Sequence, residues 1–368
     1  KSNMAEFAFS PNETIGSRIP GFTRNPYATN RVPAGSSGGT GAAVAASFGV
    51  VGLGTDTGNS IRGPSSHNAL VGIRSTIGLT SRDGIVPLAF SHDIGGPMAR
   101  TVADAVAVFD VLAGTDPADP TTLEADSRRA VDYNQFLDAN VLATARIGVV
   151  RQIVDRESGD PRMRDLLSRA LEDLRAAGAQ IVDPVIIPML DETVQFSCRR
   201  FRYDINAYLA TLGPDAPVKT LTEIVESGGY DRTVRDRLRR GLEESLEDPD
   251  SRCAEQTGNR RLLAQQVRGV LADEQLDALV YPTWANVPRL IGDLRSPGGD
   301  NSQVLSPQTG FPAITVPMGW IEEGGQQLPA GLQIFGDAWS EPRLIAIAYA
   351  YEQATQHRRS PGTTPALR

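Results

Sequence analysis

Residues 35–76 read GSSGGTGAAVAASFGVVGLGTDTGNSIRGPSSHNALVGIRST and carry two serine clusters flanked by glycines. Ser36 and Ser37 form the first cluster, and Ser60 stands 24 positions after Ser36. Glycine allows the backbone to take positive φ values or to approach another group closely. The stretch therefore predicts a backbone shaped to present hydroxyl and N–H groups. The alternative is a flexible Gly/Ser linker, which is disfavoured because a coherent helix and strand lie inside the stretch.

The local patterns within and beyond this stretch predict an alternation of helices and strands. Residues 39–48 are good helix formers, residues 49–54 suggest a short buried strand, and residues 55–66 have the composition of a loop. A further short strand is expected within residues 70–79. Thr101 begins a T-x-x-D capping box ahead of a helix.

A β-α-β unit is the most strongly signalled supersecondary element. Asp160 and Pro161 supply an N-cap and a first-turn proline for an amphipathic helix that ends at Gly178. Strand-like segments precede and follow that helix, at 146–151 and 181–187.

Later segments complete the predicted architecture. Strands are expected at 278–281, 313–316 and 331–335, followed by a helix at 342–356. Strands interleaved with helices predict an α/β fold with a mixed sheet. We expect one domain over residues 1–368, with a charged, helical insertion at 189–272 (helices at 196–209 and 262–271).

Composition excludes several classes of function. The net charge of −8, without a dense basic cluster, disfavours nucleic-acid binding. The sequence contains no run of about 18 apolar residues, so no membrane-spanning helix is predicted. Two cysteines and three histidines form no metal-ligand pattern, so neither a metal nor another cofactor is expected. Only two of the 36 basic residues are lysines, so few side chains could act as a neutral amine base.

Two readings of the serine stretch are disfavoured by their missing motifs. A phosphate-binding loop would need GxxxxGK[ST] or GxGxxG, neither of which occurs there, and the residues after Gly58 are not expected to open a helix. An α/β-hydrolase would match G-x-S-x-G at 35–39 and a late histidine, His357. However, that motif needs a preceding strand, and Pro33 makes residues 28–34 a poor one. His357 is expected to be solvated and His92 to be a loop histidine.

A serine hydrolase that works without histidine is the remaining reading, since a serine can be activated by another base. Here the stretch resembles the amidase signature family, whose serine loops read GSSGG and G-[TS]-D-x-G-G-S-I-R. This chain has GSSGG at 35–39 and GTDTGNSIR at 54–62, at the family's spacing. The similarity continues through 81–105, 307–317 and 328–336, and peptide-amidase-like members look nearest over 81–105. The resemblance implies a central mixed sheet covered by helices on both faces.

The resemblance also implies roles for individual residues. Ser60 matches the acyl-accepting nucleophile, Ser36 matches the bridging serine in a cis peptide, and Ser37 would support them. Donors of an oxyanion hole, worth roughly 3–4 kcal/mol each in comparable sites, would be the backbone N–H groups of Thr57, Gly58, Asn59 and Ser60. We expect Asp56 and Arg62 to brace this loop by ionic hydrogen bonds.

The chain departs from the family pattern at three places. Asn59 replaces a glycine, which asparagine's tolerance of positive φ should allow. Arg74-Ser75-Thr76 replaces the family's K-P-T and is expected to be tolerated. The family's lysine base has no counterpart, because Lys1 matches a position after that lysine and Lys219 lies in the insertion. The chain has no initiating Met, and we expect that an N-terminal part carrying the lysine is absent from it.

These observations predict an amidase that hydrolyses linear amides, C–N bonds other than peptide bonds, through an acyl–Ser60 intermediate and releases ammonia or an amine. This 368-residue chain is expected to be impaired without its lysine. Met4, Phe7 and Tyr203 are candidate contacts to a small-molecule amide. A cytoplasmic location is expected, and a homodimer is left open.

Two alternatives remain. The chain could be the subunit of a tRNA-dependent amidotransferase that takes ammonia from glutamine, which would require partner subunits. It could also be a non-catalytic amidase-like binding protein.

Overall fold

An eight-stranded mixed sheet forms the centre of the fold, in a computed structural model that describes residues 2–18, 21–193, 198, 200–246 and 253–364. Within these residues the strands are β1 (Gly16–Ser17), β2 (Gly21–Phe22), β3 (Val51–Thr55), β4 (Val71–Arg74), β5 (Gly95–Ala99), β6 (Arg146–Val149), β7 (Gln180–Val182), β8 (Ala278–Pro282), β9 (Ala313–Glu323) and β10 (Gln326–Phe335). The main sheet has the order β3-β5-β4-β9-β10-β8-β6-β7, and β1 pairs separately with β2.

Helices flank this sheet on both faces, as the sequence predicts. Their bounds are α1 (Gly38–Ala45), α2 (Arg62–His67), α3 (Val102–Leu112), α4 (Ala125–Arg128), α5 (Arg151–Val154), α6 (Pro161–Ala176), α7 (Leu190–Thr193), α8 (Phe201–Thr211), α9 (Leu221–Ser227), α10 (Arg235–Leu242), α11 (Cys253–Asp273), α12 (Ser306–Thr309) and α13 (Glu341–Thr355). In the described part of the chain, none of these helices combines the length and apolar character needed to cross a bilayer.

The predicted β-α-β unit is confirmed in β6, α6 and β7. The Asp160 carboxylate accepts a hydrogen bond from the N–H of Arg162 at 2.9 Å, which caps α6. The apolar face of α6 is buried, and β6 pairs in parallel with both β7 and β8. β7 ends at Val182, earlier than predicted, because Pro184 follows and has no N–H to donate to a ladder.

The hairpin of β9 and β10 is longer than the sequence predicts. The expected strands, 313–316 and 331–335, are only the portions of β9 and β10 that lie farthest from the connecting turn. The two strands pair antiparallel from Ala313–Phe335 to Glu323–Gln326, with a register shift at Ala330/Gly331. This hairpin occupies the middle of the sheet and carries β4 on one side and β8 on the other.

Two predictions for residues 49–66 are wrong. β3 is an edge strand rather than a buried one, and its Leu53 is 57% exposed. Residues 55–66 are predicted as loop, but residues 62–66 belong to the short buried helix α2. Pro64 lies in the first turn of α2, where the missing N–H of proline leaves no hydrogen bond unmade. The serine loop therefore does open a helix.

Helices α8, α9 and α10 pack on one another around an apolar cluster of their own, separate from the core of the sheet. The cluster consists of Phe201, Ile205, Leu209, Leu221, Ile224, Val234 and Leu238. The predicted helix at 196–209 corresponds to α8, although residues 196, 197 and 199 lie outside the described residues, and the helix predicted at 262–271 is the end of the longer α11.

A disulfide joins Cys198 to Cys253 and so links the residues on either side of this helical cluster. The spacing of these two cysteines offered no reason to pair them. Disulfides are rare in a reducing cytoplasm, so the pairing weighs against the expected cytoplasmic location.

Candidate active site

Ser60 lies at the end of the loop that connects β3 to α2. Its side chain is nearly buried, and its Oγ lies 3.3 Å from Oδ1 of Asn59. The residue faces a cavity of about 700 Å³, which it lines together with Thr57, Gly58 and Asn59. The Ser60 hydroxyl is therefore sheltered from bulk solvent but accessible from one side.

The first serine cluster meets this loop through backbone and side-chain contacts. The N–H of Ser37 donates to the carbonyl of Ser60 at 3.3 Å. Ser37 Oγ both accepts from the N–H of Thr55 and donates to its carbonyl, each at 3.2 Å. The structure thus brings the predicted supporting serine, Ser37, against both ends of the β3–α2 loop.

Ser36 is fully buried, and the Gly35–Ser36 peptide is cis. Its carbonyl accepts a hydrogen bond from the N–H of Ala5 at 3.2 Å. Its Oγ has no hydrogen-bond partner among the described residues. A buried hydroxyl is normally paired, so Ser36 Oγ is an unusual group in this part of the structure.

The glycines of the stretch serve close packing. A Cβ on Gly39 would stand 1.9 Å from the carbonyl oxygen of Asn3, and one on Gly54 would stand 2.9 Å from Ser37 Oγ. Asn59 does not adopt a positive φ. The loop accommodates Asn59 without a positive φ, so the conformational tolerance of asparagine is not the reason that this residue fits there.

The backbone N–H groups of Thr57, Gly58, Asn59 and Ser60 donate to no other described residue. The side chains around them are well connected. Arg62 donates to the carbonyl of Gly58 at 2.7 Å, and the carbonyl of Asn59 accepts from the N–H of Gly63 at 2.6 Å. The loop is thus fixed through its carbonyls and side chains, while these four N–H groups remain available to a ligand.

A buried cluster of three charged side chains supports the loop from below. Arg62 contacts the Asp56 carboxylate through Nε at 3.1 Å and Nη2 at 3.2 Å, as predicted. Arg74 adds a contact from Nη1 at 3.0 Å, and all three side chains are fully buried. Burial raises the pKa of Asp56, but Arg62 and Arg74 outweigh it and hold that pKa below its usual value. Arg74 was not predicted to take part.

The cluster also reaches the centre of the sheet. Arg62 Nη1 donates to Oε1 of Gln333 in β10 at 3.0 Å and to the carbonyl of Ser302 at 2.7 Å. Gln333 in turn donates to the hydroxyl of Tyr281 in β8 at 2.7 Å. The position of the Ser60 loop is therefore tied to the middle strands.

His92 and Asp93 lie in the segment just before β5. His92 lines the cavity, and its Nδ1 is 2.7 Å from Ser91 Oγ. Burial, followed by the charges of Arg260, Arg74 and Arg200, lowers the pKa of His92 to about 3. A histidine that stays neutral in this way is a hydrogen-bonding group and not an effective base at neutral pH. Sequence reasoning placed His92 in a loop and did not place it at the cavity.

The walls of the cavity come from four further segments, one of which supplies Gln303, Pro307 and Gln308. Residues 8–11 form one wall, Leu88 and Ala89 form another, and the helical cluster contributes a third. From that cluster and its borders the lining residues are Cys198, Arg200, Phe201, Arg237, Arg240, Glu243, Glu244, Ser245 and Gln256.

The three candidate substrate contacts are not among the residues that line this cavity. Met4 is exposed, and Phe7 packs its ring edge-on against Phe201 in the helical cluster. Tyr203 accepts a hydrogen bond from the N–H of Leu246. Their neighbours in sequence, Ala8, Phe9 and Phe201, line the cavity in their place.

The remaining candidates considered from sequence lie elsewhere. His357 is partly buried, with Nε2 3.5 Å from Asp173, and it does not line the cavity. Lys219 donates through Nζ to the carbonyls of Gly213 and Pro214. Lys1 lies outside the described residues. The described ranges contain no cluster of three or more histidine, cysteine or acidic residues suited to a metal.

Comparisons with known proteins agree with this arrangement. A sequence model of the family Amidase matches residues 1–345. The chain is 33% identical to the A subunit of the glutamyl-tRNA(Gln) amidotransferase of Gloeothece citriformis, over 98% of this chain and 75% of the relative. It is 35% identical to the same subunit of Gloeobacter violaceus, over 98% and 74% of the respective lengths.

Solved structures give the same family. The native peptide amidase from Stenotrophomonas maltophilia superposes with a TM-score of 0.84 at 37% identity, covering 99% of this chain and 75% of that one. The corresponding amidotransferase subunit of Thermotoga maritima gives 0.72 at 28% identity, covering 96% and 72%. The family match spans most of the sequence and the fold agrees with it, so this chain belongs to the amidase signature family of serine-dependent amide hydrolases.

Proposed function

We propose that this protein hydrolyses linear carboxylic amides through an acyl-enzyme on Ser60. The observation that carries the proposal is the sheltered Ser60 hydroxyl at a 700 Å³ cavity, beside four N–H groups that no described residue engages. Ser60 Oγ would attack the amide carbon. The N–H groups would stabilise the negative oxygen that develops, an interaction typically worth about 3 kcal/mol per donor.

Ser36 would relay the proton. In the proposed sequence the proton of Ser60 passes through Ser36 to a lysine amine and then to the leaving nitrogen as the C–N bond breaks. Water next hydrolyses the acyl ester and releases the acid. The buried Ser36 Oγ, without a partner among the described residues, suits a group that exchanges hydrogen bonds with a base. Lys219 is not that base, since it is exposed and bonded to two carbonyls of its own loop.

We propose bulky acyl groups as the substrate class. Phe9, Leu88 and Phe201 give the cavity apolar walls, while His92 and Gln303 add neutral polar groups. Such a mixture suits an acyl chain with spaced polar atoms. The higher identity to the peptide amidase structure, 37% against 28% for the amidotransferase structure, supports peptide-like amides.

The second candidate is the ammonia-producing subunit of a tRNA-dependent amidotransferase. The names of the curated relatives favour it, because those at 33–35% identity are amidotransferase subunits. This candidate predicts release of ammonia from glutamine in preference to peptide amides, together with stable partner subunits on purification.

The test uses the 368-residue chain together with any longer form that its gene encodes. A fluorophosphonate probe should label Ser60, and a panel of amides should release ammonia in the unmutated protein but not in Ser60→Ala. Ser36→Ala should lose most of the turnover, whereas Ser127→Ala, at an exposed site, should not. Equal rates in Ser60→Ala and the unmutated protein would show that the nucleophile is wrongly assigned.

A further inference from the structure

Asp93 connects two segments that line the cavity through its buried carboxylate. Its Oδ1 accepts a hydrogen bond from the hydroxyl of Thr57 at 2.5 Å. Its Oδ2 accepts from the N–H groups of Leu88 and Ala89, both at 3.0 Å. Thr57 belongs to the loop beside Ser60, and Leu88 and Ala89 belong to a second segment that lines the same cavity. The Asp93 side chain, which is 3% exposed, therefore holds both segments in place.

The two oxygens of this carboxylate are not equivalent. Oδ2 faces two N–H groups, which cannot accept a hydrogen bond, so a proton on Oδ2 would have no acceptor there and would displace at least one of these contacts. Oδ1 faces a hydroxyl, which can donate or accept. A proton would therefore go to Oδ1 and reverse the hydrogen bond to Thr57. Neutral hydrogen bonds are roughly half as strong as those to an ionised group, so protonation would weaken the hold on the loop.

We propose that Asp93 is a positioning residue, which fixes the Thr57–Ser60 loop for oxyanion binding through Thr57 and does so fully only when its carboxyl group is ionised. The inference rests on the proposed function of that loop. No sequence motif assigns this role to Asp93.

The electrostatic surroundings place the ionisation of the Asp93 carboxyl group in an experimentally accessible pH range. Burial raises the pKa of Asp93 to about 6, against the hydrogen bonds from Thr57, Ala89 and Leu88 that lower it. Asp204 in α8 raises it further. The cations that face Asp93 are Arg74 at the end of β4, Arg82 after that strand, and Arg200 before α8. His92, next in sequence, stays neutral in this range.

The activity test follows from these contacts. In the unmutated gene product, kcat should fall as pH drops below about 6, with little change in KM. Asp93→Asn should lower kcat at least about tenfold at pH 7.5 and remove the fall in kcat below pH 6 (the acid limb). The asparagine side chain has one acceptor oxygen and one donor NH2 group, so it cannot accept hydrogen bonds from Thr57 and from the backbone N–H groups at the same time. Thr57→Val should also lower kcat and lose the limb, and Thr57→Ser, which restores a hydroxyl, should recover the limb. Asp83→Asn, at an exposed site in the same segment, should match the unmutated protein.

A second measurement does not depend on turnover. Deuterium uptake by the peptide that carries residues 55–62, corrected for intrinsic pH dependence, should rise between pH 7 and pH 5. It should be high at both pH values in Asp93→Asn and Thr57→Val. If neither Asp93→Asn nor Thr57→Val changes kcat, the acid limb or the deuterium uptake, the positioning role of Asp93 is overturned. Should uptake change as expected while no amide is hydrolysed, the positioning role stands and the proposed function fails.

Discussion

A guanidinium group in the protein interior needs close negative partners, because removing one member of a buried ion pair typically costs about 3–5 kcal/mol. Arg74 meets this need with the Asp56 carboxylate at 3.0 Å, the backbone carbonyl of Asp56, and the carbonyl of His92 at 2.8 Å. These contacts join the floor of the site to the loop at residue 92. Arg74 therefore supports the site as a rigid fork and not only as a positive charge.

The Arg74→Lys variant separates these two properties. Lysine keeps the charge but cannot span the Asp56 and His92 acceptors at once, so we expect a loss of about 2–3 kcal/mol in the free energy of unfolding. Urea unfolding at pH 7 measures it. Arg128→Lys serves as the control, since Arg128 is a half-exposed partner in an i,i+4 pair and should change stability by less than about 0.5 kcal/mol. If the two substitutions changed the free energy of unfolding equally, the bridging geometry of the Arg74 guanidinium would not be what stabilises the site.

His92 gives a pH-dependent prediction at the same scale. Between about pH 3 and 6.5 the unfolded chain binds a proton at His92 that the folded protein does not, so folding is destabilised as pH falls. Asp93 opposes this below about pH 6, because its raised pKa makes the folded protein bind a proton there first. The His92→Gln variant should lose the destabilisation at low pH that comes from His92 and keep the opposing contribution of Asp93. Relative to the variant, the unmutated protein should lose up to about 1.4 kcal/mol per pH unit between pH 6.5 and 5, measured by urea unfolding. Parallel curves would show that His92 titrates normally.

Local sequence predicted only part of this residue network. Asp56 and Arg62 stand six positions apart in one recognisable motif, and their pairing was expected. Arg74 and Asp93 are 18 and 37 positions from Asp56. They reach the loop only because β4 and β5 lie side by side in the sheet. Neither the spacing nor the composition of the sequence carries that information.

Among the elements, α3 shows how a local signal translates into structure. The side chain of Thr101 accepts a hydrogen bond from the N–H of Asp104 at 3.1 Å, as its capping motif predicts. The first turn of a helix has no intrahelical partners for its N–H groups, and in α3 Glu352 also contributes by accepting a hydrogen bond from the N–H of Val102 at 2.8 Å. Thr101 is therefore a good site at which to measure the contribution of a cap.

Thr101→Ala should lower the free energy of unfolding by about 1 kcal/mol, because one N–H of the helix loses its acceptor. Thr101→Ser keeps an oxygen in place and should retain most of that stability. Thermal or urea unfolding of both variants provides the measurement. An alanine variant as stable as the serine variant would show that solvent replaces the cap without cost.

Elements with strong local signals were predicted, and those shaped by the sheet were not. The caps and periodicity of α3 and α6 predicted both helices. By contrast, β9 and β10 contain Pro317, Gly319 and Pro329, residue types that strands generally lack. These residues concealed most of the hairpin, which exists because neighbouring strands pair on both sides of it. Pairing partners distant in sequence decide such strands.

At the scale of the whole molecule, the cavity is formed where two separately packed regions meet. The Ser60 loop follows a strand of the sheet, and another part of the lining belongs to the helical cluster of α8, α9 and α10, which has its own apolar core. Phe9 packs edge-on against Phe201, with 4.9 Å between the ring centres, and so joins the N-terminal segment of the cavity wall to the helical cluster. Asp204 accepts a hydrogen bond from the N–H of Phe90 at 2.9 Å and so ties α8 to the segment that carries Leu88, Ala89 and His92.

The Cys198–Cys253 bond should help to hold this arrangement. It closes a loop with a sequence separation of 55 residues, for which the chain-entropy model gives a stabilisation on the order of 4 kcal/mol. We expect the Cys198→Ser/Cys253→Ser double variant to be cleaved faster by protease between these positions and to show a raised KM, since Cys198 lines the cavity. Ser127→Ala, far from this loop in sequence, serves as the control. Unchanged cleavage rates and KM would indicate that packing alone holds the helical cluster.

The same bond also alters the covalent connectivity of the molecule. With Cys198 joined to Cys253, the intervening chain is a closed ring, and a single backbone cut within it does not release a fragment. A nicked molecule should therefore migrate near its full 39.4 kDa mass on a gel without reductant and as two pieces after reduction. Each nicked molecule would still keep both walls of its cavity on one covalently connected body.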